Sequence, residues 1–140
     1  MKQLLITTIA AVVLVGCGPS VPDIDINVAA STGDIKAVNQ YLAAGGDVNA
    51  KDKVAPPLYY AAKFGHKEIT ELLIEKGADV NLRSGMVVNP KDGSVGNKMA
   101  QKIANNRTPL DMAIDKHTEI AKLLRKHGGK TGEELKAEGK

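Results

Sequence analysis

The chain has 140 residues, which is enough for one domain and too few for a second hydrophobic core. Aromatic residues make up only 3% of it, so the core must be built from Leu, Ile, Val and Ala. The formal net charge of +3 is too small to indicate a nucleic-acid-binding protein.

The first residues are typical of an export leader. The stretch MKQLLITTIAAVVLVGC carries one positive charge, at Lys2, followed by an apolar run from Leu4 to Val15. This run is shorter than the ~20 residues that a bilayer-spanning helix needs, and its length suits the apolar core of a signal peptide. We therefore predict a signal peptide over residues 1–16.

The tetrapeptide Leu14-Val15-Gly16-Cys17 ends the apolar run. It resembles the bacterial lipobox, whose Cys becomes the lipidated first residue of the mature protein. The resemblance implies that acyl chains such as palmitate on Cys17 anchor the protein to a membrane, with residues 17–24 as a short tether. Because Gly18 follows Cys17 where some lipoproteins have Asp, it also implies the periplasmic face of the outer membrane in bacteria with two membranes. The alternative is an ordinary cleaved signal peptide followed by an unmodified Cys.

A phrase recurs further along the chain at a fixed spacing. YLAAGGDVN ends at Asn49, and LLIEKGADVN ends at Asn81, 32 residues later. A third, weaker copy runs from Arg107 to Gly129. A period of roughly 20–50 residues is the signature of stacked repeats, and about three units are needed for a stable stack.

The middle copy predicts the structure of one unit. Pro57 begins a first helix, because the first turn of a helix tolerates proline, and Gly65 ends it. A second helix begins near Lys67 and ends before Gly77. Spacings of three and four residues place one set of side chains on the buried faces of these helices. That set is Leu58, Ala61, Ala62, Ile69, Leu72 and Leu73.

These residues resemble the ankyrin repeat. Thr108-Pro109-Leu110 matches the Thr-Pro-Leu-His start of that family, and its Ala-Ala, Gly-His-x-Glu-Ile, Leu-Leu and Gly-Ala-Asp-Val-Asn segments occur between Ala61 and Asn81. The resemblance implies an all-α solenoid of about three helix-turn-helix repeats over residues 25–130, at about 25–52, 53–83 and 106–130. It also implies a scaffold that binds other proteins through its variable surface positions. Tyr59 and Asp111 replace the family's His. The sequence does not show whether they make the hydrogen bonds to neighbouring loops that this His makes.

A long insertion, residues 84–105, separates the second and third repeats. Asn81 and Leu110 are 29 residues apart, against 9 between Asn49 and Leu58. A long loop without a core of its own is commonly functional, although a tolerated loop that binds nothing is the alternative. The Asp-Gly pair within residues 86–95 predicts a small hairpin, and a short helix is predicted after residue 97.

The candidate binding residues come from this loop and from the first helices. In an ankyrin stack, the two residues after Ala-Ala normally face a concave groove, and here Lys63 and Phe64 occupy those places. An exposed aromatic side chain in a groove is a candidate hot spot, although Phe64 could instead fold against the next loop. The candidate protein-binding residues are Lys53, Tyr60, Lys63, Phe64, Met86, Val87, Val88 and Lys116.

Catalysis is not predicted. The sequence has none of the His-Glu-x-x-His, Gly-x-Ser-x-Gly or phosphate-binding glycine motifs, and its only cysteine is Cys17. Its three histidines fall at places that the repeat defines, such as His66 in the Gly-His turn. We therefore predict no catalytic residue, no metal and no cofactor.

The last ten residues, 131–140, read as a charged tail. Thr131 and Glu134 form a capping-box pattern, but Leu135 is the only long apolar residue beyond it. Because so short a helix is marginal in water, we predict a frayed and solvated end.

The charged residues are unevenly distributed. Residues 17–97 carry 8 Lys and Arg against 10 Asp and Glu, a net of −2, and residues 98–140 carry 10 against 6, a net of +4. This asymmetry is common in a solvated surface, and a modest attraction for an acidic partner is the alternative.

Together these features predict a monomeric, membrane-anchored ankyrin-repeat lipoprotein that binds an envelope or exported protein, and no nucleic acid, in the bacterial cell envelope. An inhibitor or immunity protein against an exported toxin or hydrolase is the first alternative. An enzyme that uses the inserted loop and a structural envelope protein are the others.

Overall fold

The computed structural model describes residues 23–52, 54–85 and 107–139, and within these ranges the chain forms seven α-helices. The helices are α1 (Ile26–Thr32), α2 (Ile35–Ala43), α3 (Pro57–Phe64), α4 (Lys67–Glu75), α5 (Pro109–Ala113), α6 (Thr118–Lys126) and α7 (Gly132–Ala137). The hairpin and short helix predicted for the insertion lie outside the described residues, as do Cys17 and the leader.

The helices pack in two rows. Within each repeat the first helix contacts the second, as α1 contacts α2, α3 contacts α4 and α5 contacts α6. Between repeats, α1, α3 and α5 form a row of first helices, and α2, α4 and α6 form a row of second helices. This arrangement confirms the predicted all-α stack of helix pairs.

Local chemistry sets the ends of the first helices. Asp25 caps α1, since its Oδ1 accepts from the backbone N–H groups of Asn27 and Val28 at 2.9 and 3.3 Å. Thr108 and Asp111 form a reciprocal capping box at the start of α5. Gly65 ends α3 with a φ of +83°, a left-handed conformation that favours glycine.

Small residues allow the first helices to approach one another closely. Ala29 and Ala30 in α1, Ala61 and Ala62 in α3 and Ala113 in α5 are all buried. Leu and Ile side chains from both rows fill the space between the rows. A low aromatic content therefore suits this fold, because the core is a thin layer between closely packed helices.

The predicted buried set of the middle repeat is confirmed with one exception. Leu58, Ala61, Ala62, Ile69 and Leu73 are buried, whereas Leu72 is only half-buried. Thr70 was not among the predicted buried residues, yet it is fully buried although it is polar. Its hydroxyl donates to the carbonyl oxygen of His66 at 2.9 Å, so the buried hydroxyl is hydrogen-bonded.

The prediction of a frayed C-terminal end is wrong. Residues 132–137 form α7, and Leu135 is only 6% exposed. The backbone N–H of Gly132 donates to Asp111 Oδ2 at 2.9 Å, and Arg125 Nη1 donates to both carboxylate oxygens of Glu134 at 3.0 and 2.7 Å. A helix too short to form alone is thus held by bonds to the third repeat, and it caps that end of the stack.

The carboxyl group of Glu134 makes the attachment of α7 dependent on pH. Hydrogen bonds from Arg125 and from the backbone of Thr131 lower the pKa of Glu134 to about 2. A carboxyl group whose pKa is lower in the folded state stabilises the fold above its unfolded pKa, and this contribution is lost as the pH falls through the folded pKa. The contribution is therefore present at neutral pH and disappears between about pH 4.5 and pH 2.

We expect Glu134→Gln to lower the stability at pH 6 and to have a much smaller effect near pH 2, where the carboxyl group is protonated in the unfolded state and about half protonated in the folded state. Urea unfolding at a series of pH values would measure the difference between the parent and the variant. Glu133→Gln is the matched control, since Glu133 is an exposed neighbour in the same turn. A difference between Glu134→Gln and the parent that is independent of pH would contradict the prediction.

Candidate protein-binding surface

The repeats are joined first by the asparagines of the recurring phrase. Asn49 Oδ1 accepts from the backbone N–H of Asp79 at 2.9 Å. Asn81 Oδ1 accepts from the backbone N–H of Lys130 at 2.7 Å, and Asn81 Nδ2 donates to the Gly128 carbonyl at 3.1 Å. The residue that ends each phrase therefore ties its own loop to the loop of the next repeat.

Two histidines also join consecutive repeats. His66 Nε2 lies 3.0 Å from the carbonyl oxygen of Ser31, and His117 Nε2 lies 3.3 Å from that of Lys63. Because a carbonyl only accepts, these nitrogens carry the proton. The imidazole of His117 lies close to Gly65, where a Cβ atom would come within 2.5 Å of its Cε1 atom. Each ring thus fixes the end of the preceding repeat's first helix.

Tyr59 and Asp111, which replace the family's His, also hydrogen-bond to residues of other segments. Asp111 Oδ2 accepts from the backbone of Gly132, as described above. The side chain of Tyr59 hydrogen-bonds with Ser84, and burial raises the pKa of the Tyr59 phenol. The question left open by the sequence is therefore answered, since a carboxylate and a phenol take over the role of the missing imidazole.

Tyr60 is held by a hydrogen bond within the chain. Its hydroxyl donates to Asp52 Oδ2 at 2.7 Å, while Asp52 Oδ1 accepts from the backbone N–H groups of Val54 and Ala55 at 2.6 and 2.8 Å. Burial and the Asp52 carboxylate raise the pKa of Tyr60. Burial opposes ionisation of Asp52, but its three hydrogen bonds outweigh that effect and lower the Asp52 pKa. The Tyr60 ring is therefore held in place, with its hydroxyl already hydrogen-bonded within the chain.

The exposed side of the first-helix row forms one continuous surface. Val28 and Tyr60 each precede two buried alanines of their helix, and the exposed Thr32 and Phe64 follow four residues later. Met112 precedes the buried Ala113 in α5, and the exposed Lys116 lies in the turn that follows this helix. Residues four apart share one face of a helix. We call this surface, together with Lys63, the first-helix face. Its members are Val28, Thr32, Tyr60, Lys63, Phe64, Met112 and Lys116.

Phe64 is the largest apolar group exposed on this face. Its side chain is 49% exposed, and the ammonium group of Lys63 lies 5.3 Å from its ring centroid. That geometry is a cation–π contact, which stabilises the ring in an exposed position. Val28 is 55% exposed on the neighbouring helix. Exposed apolar side chains of this kind are typical of surfaces that bind other proteins.

Comparison with known proteins identifies the family. A sequence model of ankyrin repeats matches residues 26–134 in three copies. The chain belongs to the ankyrin-repeat family. The ankyrin resemblance of the sequence is thereby confirmed, and ankyrin repeats are in general interaction modules for proteins and not catalysts.

Similar curated proteins differ from this ankyrin chain in size. The ARF GTPase-activating protein Git of Drosophila melanogaster is 32% identical over 96 residues, which are 66% of this chain and 10% of that protein. Myotrophin of Xenopus tropicalis is 40% identical over 52 residues, 36% of this chain and 44% of that protein. An ankyrin repeat-containing protein of Schizosaccharomyces pombe is 35% identical over 60 residues, 42% of this chain and 29% of that protein. The chain thus covers less than half of each of these relatives.

The ankyrin stack brings four of the predicted binding residues together. Tyr60, Lys63, Phe64 and Lys116 all belong to the first-helix face, and their role in binding stays a prediction. Four others, Lys53, Met86, Val87 and Val88, lie outside the described residues. Val28 and Met112 were not predicted, although the repeat register could have found them, because each holds the place of Tyr60 in its own unit. In the ranges 23–52, 54–85 and 107–139, no group of three or more His, Cys, Asp or Glu is arranged to hold a metal ion.

Proposed function

We propose that this ankyrin chain is a lipid-anchored protein-interaction module of the bacterial cell envelope. The observation that carries the binding role is the exposure of Phe64 and Val28 on the first-helix face. The core is complete without these side chains, and the bonds between repeats are made by Asn49, Asn81 and the histidines. The first-helix face is therefore free to differ between ankyrin proteins, and it supports binding of a protein partner.

The anchoring role rests on the sequence Leu14-Val15-Gly16-Cys17. Lipid on Cys17 would leave only residues 17–24 between the membrane and the first repeat, a reach on the order of 25 Å. Pro19 and Pro22 stiffen this tether. Such a short tether would keep the stack close to the membrane surface, so its partner would be a membrane protein or a protein of the adjoining envelope space. Within the described part of the chain, no helix is long and apolar enough to cross a membrane.

We expect Cys17→Ser to abolish incorporation of palmitate and to release the protein from membranes or leave its leader uncleaved. The physical reason is that serine lacks the thiol that receives the diacylglyceryl group. Metabolic labelling with radioactive palmitate, followed by membrane fractionation, measures both effects. Ser20→Ala, three residues beyond the Cys, is the matched control and should behave as the parent. A Cys17→Ser protein that is cleaved and membrane-bound as the parent is would refute the anchor.

We expect Phe64→Ala to weaken partner binding by about tenfold or more, in the range of a hot-spot residue. Chemical crosslinking in intact envelopes, followed by purification through the chain, would identify the partner, and titration would then give the affinity. Since Phe64 is half-exposed, the variant should unfold close to the parent's temperature. Glu75→Ala, an exposed change on the second-helix row, is the control. Equal affinities for the parent and Phe64→Ala would place the binding site on another surface.

A further inference from the structure

Three lysines lie near the turn that follows Phe64. Lys63 lies over its ring, and Lys67 begins the next helix. Lys116, from the third repeat, lines a crevice of about 250 Å³ together with Lys67 and Gly65, the residue that follows Phe64. We call Lys63, Lys67 and Lys116 the lysine cluster. It joins the second and third repeats at the edge of the first-helix face.

Two of the four carboxylates near the lysine cluster are paired with a lysine. Glu119 lines the same crevice, but it is paired with Lys122 at 3.1 Å. Glu71 lies 3.8 Å from Lys67 in an exposed pair, and such pairs contribute little. Two further carboxylates, on Glu68 and Asp115, are exposed nearby. Among the described residues, Lys63 and Lys116 form no ion pair, so their charge is available to a partner.

The carboxylates of the first-helix row do not neutralise this charge. Those of Asp25, Asp52 and Asp111 accept hydrogen bonds from backbone N–H groups at or near the starts of α1, α3 and α5. Lys63 lies at the opposite end of α3, and Lys116 lies in the turn that follows the end of α5. The carboxylates that begin the first helices therefore lie at one edge of the first-helix face, and the ammonium groups of Lys63 and Lys116, which form no ion pair, lie at the other edge beside the exposed ring and the carboxylates of Glu68 and Asp115.

We infer that the first-helix face binds an extended, acidic segment of a partner protein, in which an apolar side chain lies on Phe64 and flanking Asp or Glu side chains contact the lysine cluster. This inference rests on the proposed binding function and adds the chemistry of the partner. Adjacent packed helices are roughly 8–10 Å apart, so the three first helices span about 20 Å. An extended chain of about six residues covers that distance. A ring beside unpaired ammonium groups matches a segment that alternates apolar and acidic side chains.

The inference can be tested by selecting binding peptides from a random library, which does not require the partner to be known. The full-length chain, purified in detergent and immobilised, is panned against phage-displayed random decapeptides at about 0.1 M NaCl, where charges within ~10 Å still interact. We expect the selected peptides to share one aromatic or aliphatic residue flanked by Asp or Glu. The best of them, made as a synthetic peptide, should bind the Lys63→Glu/Lys116→Glu variant about tenfold more weakly or worse, because attraction becomes repulsion. Lys36→Glu/Lys76→Glu, with the same change in charge on exposed residues of the second-helix row, should bind as the parent does.

The possible results separate this inference from the proposed function. Selected peptides that lack acidic residues but need Phe64 would overturn the acidic partner and leave the binding role standing. Acidic peptides that bind the Lys63→Glu/Lys116→Glu variant as tightly as the parent would also overturn it. If no peptide of any composition is enriched, both the inference and the assignment of binding to the first-helix face are wrong.

Discussion

Replacing Leu73 with Ala is expected to lower the free energy of unfolding by about 2–5 kcal/mol. Leu73 is fully buried in α4, the second helix of the middle repeat, and belongs to the core cluster that all three repeats share. Truncation removes buried methyl groups and leaves a cavity that rigid neighbouring helices cannot fill. A stack of this size has about 5–15 kcal/mol of stability in total, so the loss is a large fraction of it.

Urea unfolding followed by circular dichroism at 222 nm measures this cost. We expect one transition for the parent and the variant, because three short repeats with a common core unfold together. Leu72→Ala is the matched control, since it removes the same atoms from the adjacent, half-buried position. Equal losses for Leu72→Ala and Leu73→Ala would mean that the buried face of α4 is misassigned.

Replacing Gly65 with Ala is expected to cost about 2–5 kcal/mol, for two reasons that can be separated. A side chain at φ +83° is strained by about 1–2 kcal/mol. In addition, the new Cβ would lie 2.5 Å from the ring of His117, so the ring must move and its bond to the Lys63 carbonyl is stretched or lost. Overpacking of this kind typically costs about 1–3 kcal/mol more.

Gly77 provides the matched control for the strain alone. It has a φ of +88°, but no other atom lies within 4 Å of a Cβ placed there. Thermal and urea unfolding of both variants should therefore show a smaller loss for Gly77→Ala than for Gly65→Ala. In a Gly65→Ala/His117→Ala double variant the clash is absent, so its loss should be less than the sum of the single losses. Additive losses would show that the ring of His117 does not restrict Gly65.

The candidate surface was predictable only in part. Lys63 and Phe64 follow the Ala-Ala pair, so the repeat register alone is enough to assign them to the surface. Val28 and Met112 were not predicted, although each holds the place of Tyr60 in its own repeat. Which apolar residue of a helix stays exposed depends on where the neighbouring repeat packs. Lys63 and Lys116 were both predicted as binding residues, but their arrangement with Lys67 was not, because Lys116 comes from a different repeat.

The sequence by itself determined the features that depend on near neighbours in the chain. These are the 32-residue period, the start of α3 at Pro57, its end at Gly65 and the buried spacing of Leu58, Ala61 and Ala62. Helix starts, glycine stops and apolar spacing act over a few residues, so the sequence shows them directly.

Only the tertiary structure decided the features that depend on distant partners. The residues of α7 have a capping box in the sequence, yet the helix forms because Asp111 and Arg125 bind it and Leu135 becomes buried. The hydrogen bond of His117 to the Lys63 carbonyl spans 54 positions in the chain. Such contacts stabilise the protein only when the repeats are stacked, so a local sequence pattern does not predict them.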